Sequence, residues 1–487
     1  MKTTSFKLIE ATIEDIQQAF QENKLTSVEL VQAYLDRIET FDRNGPKINS
    51  VLTVNPDALK IAAELDELRG QDGQGPLYGI PVLLKDNIET ADPMPTTAGA
   101  IALEQNFAKE DSFLAAQLRN AGAIILGKVN MSEWAYFMSK DGVSGYSSLG
   151  GQVLNPYGVG TFKAEDVGGS SSGTGAAIAS NFAVVGVGTE TSGSILSPAS
   201  ANSIVGIKPT VGLISRSRII PIAESQDTAG PMARTVADAA ILLGAMTGVD
   251  EQDPATLGST GQALADYTPH LKTDGLKGAR IGFDRSYMNN EEPEEIAIMD
   301  EAIEQLKLLG ATVVEVKIPQ QTFESDVLWY EFKRGVNDYL RTVPDEVPVK
   351  SLADIIAFNK QDPERRMKFG QAELEKAQSL SDDPTDPTYM EHREIDLRSS
   401  TTEGLDLIMK EHQLDALLFQ NNRGAAKPAR AGYPSITVPA GYTSSGHPIG
   451  VTFSAKAFSE PRLIELAYAY EQATRKRQAP DLHDFIG

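Results

Sequence analysis

The 487-residue chain contains no cysteine, and this absence excludes several kinds of chemistry. Without thiols the protein has no cysteine nucleophile, no disulfide framework, no iron–sulfur cluster and no thiolate metal site. Histidine is scarce as well, and the few histidines follow neither an H-x-H nor an H-E-x-x-H spacing. They are His270, His392, His412, His447 and His483. The sequence therefore predicts neither a zinc hydrolase nor another protein that needs a metal or an organic cofactor.

The chain also lacks long apolar runs and an excess of basic residues. No apolar stretch reaches the roughly 18 residues that a membrane-spanning helix needs, and residues 1–13 carry no apolar core of a signal peptide. The 44 lysines and arginines stand against 67 aspartates and glutamates, and the resulting net charge of −23 would repel a phosphate backbone. We therefore expect a cytoplasmic protein that binds neither a membrane nor nucleic acid.

What the chain does contain is the composition of an ordinary globular protein, with 41% hydrophobic and 23% charged residues. Two amphipathic helices open it, because Thr12-x-x-Asp15 and Thr26-x-x-Glu29 resemble capping boxes before apolar residues at helical spacing. Short apolar runs that predict buried strands lie at residues 80–84, 123–126, 183–187, 279–284, 311–318, 414–419, 435–438 and 449–454. Helix-forming stretches separate them, and this alternation predicts an α/β layered sheet.

Serines and glycines concentrate at residues 168–175, where the sequence reads GGSSSGTG. Part of this run matches the G-x-S-x-G nucleophile elbow of a serine esterase, with Ser171 as the nucleophile and His447 or His483 as candidate bases. An elbow should follow a buried apolar strand, whereas polar residues 164–166 precede this one. The match is weak, and the esterase stays an alternative function.

A second motif, G-x-x-x-x-G-K at residues 122–128, resembles a phosphate-binding loop. Val129 stands where a serine or threonine should bind Mg²⁺, and the four residues between the glycines are apolar. We interpret this stretch as a buried strand that includes no nucleotide site.

A third interpretation starts from residues 189–195, TETSGSI, which follow a predicted strand. The backbone N–H groups of Thr191, Ser192, Gly193 and Ser194 lie in one turn, where such groups can stabilise the oxyanion of an acyl transfer. A nucleophilic Ser194 needs a base, and no histidine is near in sequence. Lys85 ends the apolar run 80–84, where burial would lower the pKa of its amine and make the neutral form available.

Taken together, these stretches resemble the amidase signature family. The resemblance is carried by residues 79–87 (GIPVLLKDN), 127–135 (GKVNMSEWA), 155–157 (NPY), 168–177 (GGSSSGTGAA), 189–195 (TETSGSI), 206–212 (GIKPTVG), 225–234 (SQDTAGPMAR) and 432–441 (GYPSITVPAG). It implies one large α/β domain with a central, mixed, twisted sheet covered by helices. It also implies an amidase that hydrolyses a carboxamide through an acyl-enzyme, without a cofactor.

The resemblance assigns roles to three side chains. Ser194 takes the position of the nucleophile, Lys85 that of the general base, and Ser170 that of the bridging serine, which a cis peptide bond precedes in this family. We expect residues 1–70 to form helices packed on the core, and residues 71–487 to form the amidase domain. Within that domain, residues about 320–430 form a variable, helical region where the resemblance is thinnest.

The turn around Ser194 departs from the family pattern. The family commonly has aspartate, glycine and arginine where this chain has Glu190, Ser192 and Leu196. These differences favour a stand-alone amidase over a glutamyl-tRNA amidotransferase component of the A type, which needs partner chains and stays an alternative. Residues 212–216 and 219–222 most resemble the peptide amidase branch. The expected substrate is a small-molecule or peptide amide, and the sequence assigns neither substrate-binding residues nor an oligomeric state.

Overall fold

The computed structural model describes residues 6–71, 74–160, 164–321 and 323–483. Within these residues, eleven strands form one mixed sheet, and two more form a separate hairpin. The strands are β1 (Val51–Val54), β2 (Pro81–Lys85), β3 (Ile124–Val129), β4 (Tyr146–Ser147), β5 (Gly151–Gln152), β6 (Val185–Glu190), β7 (Val205–Lys208), β8 (Thr228–Ala233), β9 (Arg280–Phe283), β10 (Thr312–Glu315), β11 (Ala416–Gln420), β12 (Ser435–Tyr442) and β13 (Pro448–Ser454).

Helices cover the sheet. They are α1 (Ile13–Gln21), α2 (Ser27–Arg37), α3 (Ala58–Leu68), α4 (Phe113–Asn120), α5 (Ser172–Ala179), α6 (Leu196–Ala201), α7 (Val236–Met246), α8 (Pro293–Leu308), α9 (Val327–Leu340), α10 (Leu352–Lys360), α11 (Pro363–Arg366), α12 (Ala372–Ser379), α13 (Pro387–Ser400), α14 (Asp406–Glu411), α15 (Ala426–Ala431) and α16 (Glu460–Thr474). No helix in the described ranges is long and apolar enough to cross a membrane.

The sheet runs in the order β1-β3-β2-β6-β8-β7-β12-β13-β11-β9-β10. Strand β2 is parallel to β3 and β6, and β9 is parallel to β10 and β11, whereas the other neighbours are antiparallel. The predicted α/β fold with one central mixed sheet is therefore confirmed. Because β2 and β6 are parallel neighbours, their carboxyl ends lie at the same edge, and this edge carries Lys85 and Thr189.

Local sequence accounts for the elements that were predicted. Both capping boxes form: the Thr12 and Thr26 hydroxyls each accept the backbone N–H three residues on, and their own backbone N–H groups donate to the carboxylates of Asp15 and Glu29. Strands β2, β3 and β6 are buried along their whole length, as their continuous apolar runs predict. The apolar face of α1 packs into the same core as these strands.

Helices α9, α10 and α12 build a second, smaller core beside the sheet. Phe332 and Leu340 of α9 are fully buried in it and pack with Trp134 and Ile220 from the sheet side. Trp134 itself lies in a left-handed turn, with φ values of 49°, 52° and 79° at positions 134 to 136. This packing brings α9 over the edge of the sheet that carries Lys85.

Candidate active site

Lys85 is the last residue of β2, and its side chain is fully buried. Its Nζ donates three hydrogen bonds, to Ser170 Oγ at 2.7 Å, to Thr189 Oγ1 at 2.9 Å and to Thr189 O at 3.1 Å. An ammonium has three donors, so every one has a partner here. The structure thus brings Lys85 and Ser170 together across 85 positions of sequence.

Burial lowers the pKa of Lys85 from 10.5 to about 7, because a charged ammonium loses its hydration inside the protein. Two carboxylates, those of Asp227 and Glu190, act in the opposite direction but do not offset burial. The adjacent Asp86 faces elsewhere, since its carboxylate accepts from Thr97 and Gly99. Burial therefore favours the neutral amine that a general base requires.

Ser170 lies two residues before the start of helix α5, and the Gly169–Ser170 peptide bond is cis. Glycine is required at position 169 because a Cβ there would collide with the hydroxyls of Tyr136 and Ser132. The backbone N–H of Ser132 donates to Ser170 O at 3.1 Å. The 132–136 turn therefore packs directly against the segment that carries the Ser170 hydroxyl.

Ser194 lies in the turn between β6 and α6, and one buried carboxylate organises that turn. Glu190 accepts three backbone N–H groups, from Gly193 at 2.6 Å, from Ile195 at 2.8 Å and from Leu196 at 3.0 Å. Gly193 has a φ of +85°, in the left-handed region that favours glycine. Glu190, which departs from the family's aspartate, thus makes the hydrogen bonds that fix this turn.

The four backbone N–H groups of the predicted oxyanion site are not equivalent. That of Gly193 is engaged by Glu190, as described above. Those of Thr191, Ser192 and Ser194 donate to no protein acceptor within the described part of the chain. The Thr191 hydroxyl donates to Asp227 at 2.5 Å, which ties the turn to the neighbouring wall of the site.

A cavity of about 350 Å³ adjoins these groups, and Ser170 and Ser194 both line it. Among the described residues their hydroxyls share no hydrogen bond, and in ligand-free sites such bonds are often long until substrate binds. The apolar wall consists of Ala135, Ile219, Ile220, Pro221, Ile222, Ala229, Gly335 and Tyr339. The polar wall consists of Asn87, Thr189, Thr191, Arg216, Ser217, Glu224, Asp227, Thr228, Gln252, Asp253 and Asp338.

Most charges on this wall are already paired. Arg216 makes a bidentate ion pair with Asp253, with Nε–Oδ2 at 2.8 Å and Nη2–Oδ1 at 2.6 Å. Asp227 accepts from the backbone N–H groups of Ile222 and Ala223 at 2.7 and 2.8 Å, besides the Thr191 hydroxyl. The sequence alone did not indicate the substrate-binding residues. The signal that could have indicated them was the resemblance of residues 212–216 and 219–222 to the peptide amidase branch.

The structure does not support the esterase alternative. Ser171 is fully buried and does not line the cavity. Its hydroxyl donates to Thr189 O at 3.0 Å and accepts from Thr189 N at 3.2 Å, so it holds α5 against β6. All five histidines are described, and none lines the cavity.

The lysine of the second motif is also structural. Lys128 lies within β3, is fully buried, and donates to Ile88 O and to Thr96 Oγ1. A strand that is buried along its length cannot cradle phosphates, so the interpretation as a buried strand is confirmed. In the described ranges, no group of three or more histidine or acidic side chains is arranged to hold a metal ion.

Comparison with known proteins shows the family of the chain. A model of the amidase family matches residues 29–464. The chain belongs to the amidase family. The solved peptide amidase of Stenotrophomonas maltophilia matches this amidase with a TM-score of 0.91 and 45% identity, covering 98% of this chain and 99% of that one. A probable amidase of Arabidopsis thaliana is 39% identical over 98% of this chain and 93% of its own length.

The amidotransferase alternative is more distant. The A component of the glutamyl-tRNA(Gln) amidotransferase of Thermosynechococcus vestitus is 32% identical over 97% of this amidase and 100% of its own length. The predicted family, its resemblance to peptide amidase and the predicted enzyme class are therefore confirmed. The protein is a hydrolase that acts on amide C–N bonds.

The buried position of Ser171 and the location of the histidines lead to a first prediction. Replacing each histidine singly by alanine is expected to leave kcat/KM for an amide close to the wild-type value, because none of them reaches the cavity. Ammonia release by the five purified variants measures this. A histidine variant that loses as much activity as Ser194→Ala would contradict it and would restore a histidine base.

Proposed function

We propose that this amidase hydrolyses its substrate at Ser194, with Ser170 and Lys85 as the proton relay. The observation that carries the proposal is the 2.7 Å hydrogen bond between Lys85 Nζ and Ser170 Oγ, beside a cavity that Ser194 lines. A buried lysine whose pKa is lowered to about 7 is a competent base near neutral pH. A nucleophile, a base and a third group that joins them are the parts that covalent catalysis requires.

In the acylation step, neutral Lys85 takes the proton of the Ser170 hydroxyl while Ser170 takes that of Ser194. Ser194 Oγ forms a bond to the amide carbonyl carbon, and the carbonyl oxygen becomes an oxyanion. The proton returns through Ser170 to the leaving nitrogen, the C–N bond breaks, and ammonia or an amine departs. Water then attacks the acyl-enzyme by the same relay and releases the carboxylic acid.

We assign the oxyanion donors to the backbone N–H groups of Thr191, Ser192 and Ser194. These three have no protein acceptor among the described residues, so they are available to a developing negative charge. The fourth predicted group, on Gly193, supports the site differently, because it donates to Glu190 and so holds the turn in place.

The substrate we propose is a peptide amide whose last side chain is apolar. Two observations support it: the 45% identity to a peptide amidase, and the wall formed by residues 219–222, which presents three isoleucines and a proline to the cavity. An apolar wall with a few polar groups is typical of a site that buries an uncharged side chain. Among the described lining residues, Arg216 is the only cation, and it is paired with Asp253. The lining residues Glu224 and Asp338 are paired with arginines outside the cavity wall. The described wall therefore has no free cation to hold an anionic substrate.

The purified single chain is therefore expected to release ammonia from peptide amides, and faster from those that end in an apolar residue. An amide panel that varies the last side chain, assayed by ammonia release, measures this. Activity that appears only after partner chains are added would contradict the stand-alone amidase and support an amidotransferase component. Equal activity on aspartyl and leucyl amides would contradict the apolar specificity while leaving the amidase reaction intact.

A further inference from the structure

Asn87 lies in the cavity wall, and only the nitrogen of its side-chain amide is hydrogen-bonded. It lies two residues beyond Lys85, lines the cavity, and is 3% exposed. Its Nδ2 donates to Thr189 Oγ1 at 3.0 Å and to Ile220 O at 3.3 Å. Its Oδ1 has no hydrogen-bond partner.

The hydrogen-bond partners of Asn87 determine the positions of Oδ1 and Nδ2 in its amide group. A backbone carbonyl only accepts hydrogen bonds, so the end of Asn87 that faces Ile220 O must be the NH₂. Turning the amide over would place Oδ1 against Ile220 O, so that two acceptors would face each other and this contact would be lost. The unpaired atom is therefore the acceptor Oδ1, and its natural complement is an N–H or O–H donor.

This unpaired oxygen differs from the other unpaired buried atoms because its residue lines the cavity. Fourteen buried side-chain atoms lack a partner in the part of the chain that the structure describes, and Asn87 Oδ1 alone belongs to a residue that lines the cavity. Leaving a buried amide oxygen without a donor is unfavourable, and each such atom in a native structure needs an explanation. Asn87 lies in the wall of the cavity, which is where a donor for this oxygen can come from.

Asn87 also lies close to Lys85, the proposed base. The Thr189 hydroxyl that receives Asn87 Nδ2 receives Lys85 Nζ as well, so Asn87 is one hydrogen-bonded residue away from the base. The oxyanion donors belong instead to the turn at residues 191–194. In acyl transfer the carbonyl oxygen faces the oxyanion donors and the leaving group faces the proton relay.

We propose that Asn87 Oδ1 accepts an N–H of the scissile carboxamide and thereby favours an amide over the ester of the same acyl group. This inference rests on the proposed function, since it requires hydrolysis at Ser194 with Lys85 as base. A primary carboxamide brings two N–H donors on its leaving nitrogen, whereas the ester of the same acyl group brings an oxygen with none. The same contact turns the nitrogen lone pair towards Ser170, from which the nitrogen takes its proton before the C–N bond breaks.

The test compares a peptide amide with the methyl ester of the same peptide. kcat/KM is measured for both substrates with wild-type enzyme, Asn87→Ala and Asn87→Ser, because this constant covers the steps up to acylation, in which the leaving group is still present. Both variants are expected to lose about tenfold more kcat/KM on the amide than on the ester, equivalent to about 1.4 kcal/mol. Serine keeps a small polar group and serves if alanine impairs folding.

Asn202 provides a matched control. It is also a fully buried asparagine whose Nδ2 donates to two acceptors, Val167 O at 2.8 Å and Pro198 O at 2.7 Å, and whose Oδ1 is unpaired. It does not line the cavity. In Asn202→Ala the ratio of amide to ester kcat/KM is therefore expected to stay at the wild-type value.

The outcomes separate the two proposals. If Asn87 variants lose amide and ester activity equally, Asn87 only positions Thr189 and Lys85, and the inference is overturned while the proposed function stands. If Ser194→Ala keeps wild-type activity on both substrates, the proposed function itself fails. Binding can also be measured without turnover, in the Ser194→Ala background. There, calorimetry is expected to show that Asn87→Ser weakens the binding of the peptide amide about tenfold and leaves the binding of the ester unchanged.

Discussion

Lys85→Ala is expected to lower kcat/KM for a peptide amide by about 10²–10⁴-fold, the usual contribution of a general base. Among the described residues, Lys85 carries the titratable group that hydrogen-bonds Ser170 Oγ, so no neighbouring group replaces it in the proposed relay. Lys85→Met serves as the second variant, because it fills the buried space without an amine. Near wild-type turnover in both variants would end this mechanism.

The pH profile of the wild-type enzyme also tests Lys85 as the base. The protonated amine cannot accept a proton, so kcat/KM is expected to rise with pH through about 7 and level off above it, since burial has lowered the pKa of Lys85 from 10.5. The Asp227 carboxylate raises this pKa, so Asp227→Asn should move the midpoint to lower pH. A midpoint near 10, or no shift in Asp227→Asn, would contradict the assignment.

Lys128→Met is the matched control for both measurements. Lys128 is fully buried as well, and burial lowers its pKa to about 8. Its amine contacts Ile88 and Thr96 and does not line the cavity. This variant is expected to keep the wild-type pH midpoint, so a general effect of removing a buried charge is separated from the loss of the base.

The same comparison shows what the sequence could and could not predict about the site. The apolar run before Lys85 predicted a buried amine, but Lys128 and Lys208 also stand in buried strands, and burial lowers the pKa of Lys208 to about 8 too. Burial therefore did not distinguish the three lysines. The resemblance of residues 79–87 to the amidase signature separated Lys85 from the other two, and only the folded structure brings it to Ser170.

The strands of the sheet show a similar limit. Continuous apolar runs predicted β2, β3 and β6, because a strand buried on both faces needs no polar alternation. Strands β7 (VGIK) and β8 (TAGPMA) were not predicted, although both are fully buried and pair beside β6. Glycine, alanine and proline carry little strand signal, and the close approach of neighbouring strands leaves room for little else: a Cβ at Gly230 would collide with Ile207 O.

The cavity wall was the least predictable part. Gly335 and Tyr339 come from α9, in the helical region where the resemblance is thinnest, and they reach the site only because the second core packs α9 over the sheet edge. Tyr339 is held there by its hydroxyl, which donates to Glu89 at 2.7 Å. Such a contact joins residues 250 positions apart, and no local pattern indicates it.

Ser194→Ala is expected to have the largest effect of all, on the order of 10⁶-fold in kcat, as for removal of the nucleophile from another serine hydrolase. Without Ser194 Oγ no acyl-enzyme forms, and the oxyanion donors and the cavity alone remain. Ser170→Ala is expected to lose less, because a water molecule in the space of the lost hydroxyl partly restores the path between Lys85 and Ser194.

The acyl-enzyme itself provides the decisive measurement. With a peptide ester as an activated substrate, rapid acid quenching and intact-mass spectrometry are expected to show one added acyl group on the wild-type chain, located by peptide mapping at Ser194. The adduct should be absent from Ser194→Ala and present in Ser171→Ala, whose replaced hydroxyl is buried between α5 and β6. Acylation of Ser170 or Ser171, or an adduct that persists in Ser194→Ala, would assign the nucleophile to a different serine. Acylation of Ser170 would also reverse the order of the two serines in the relay.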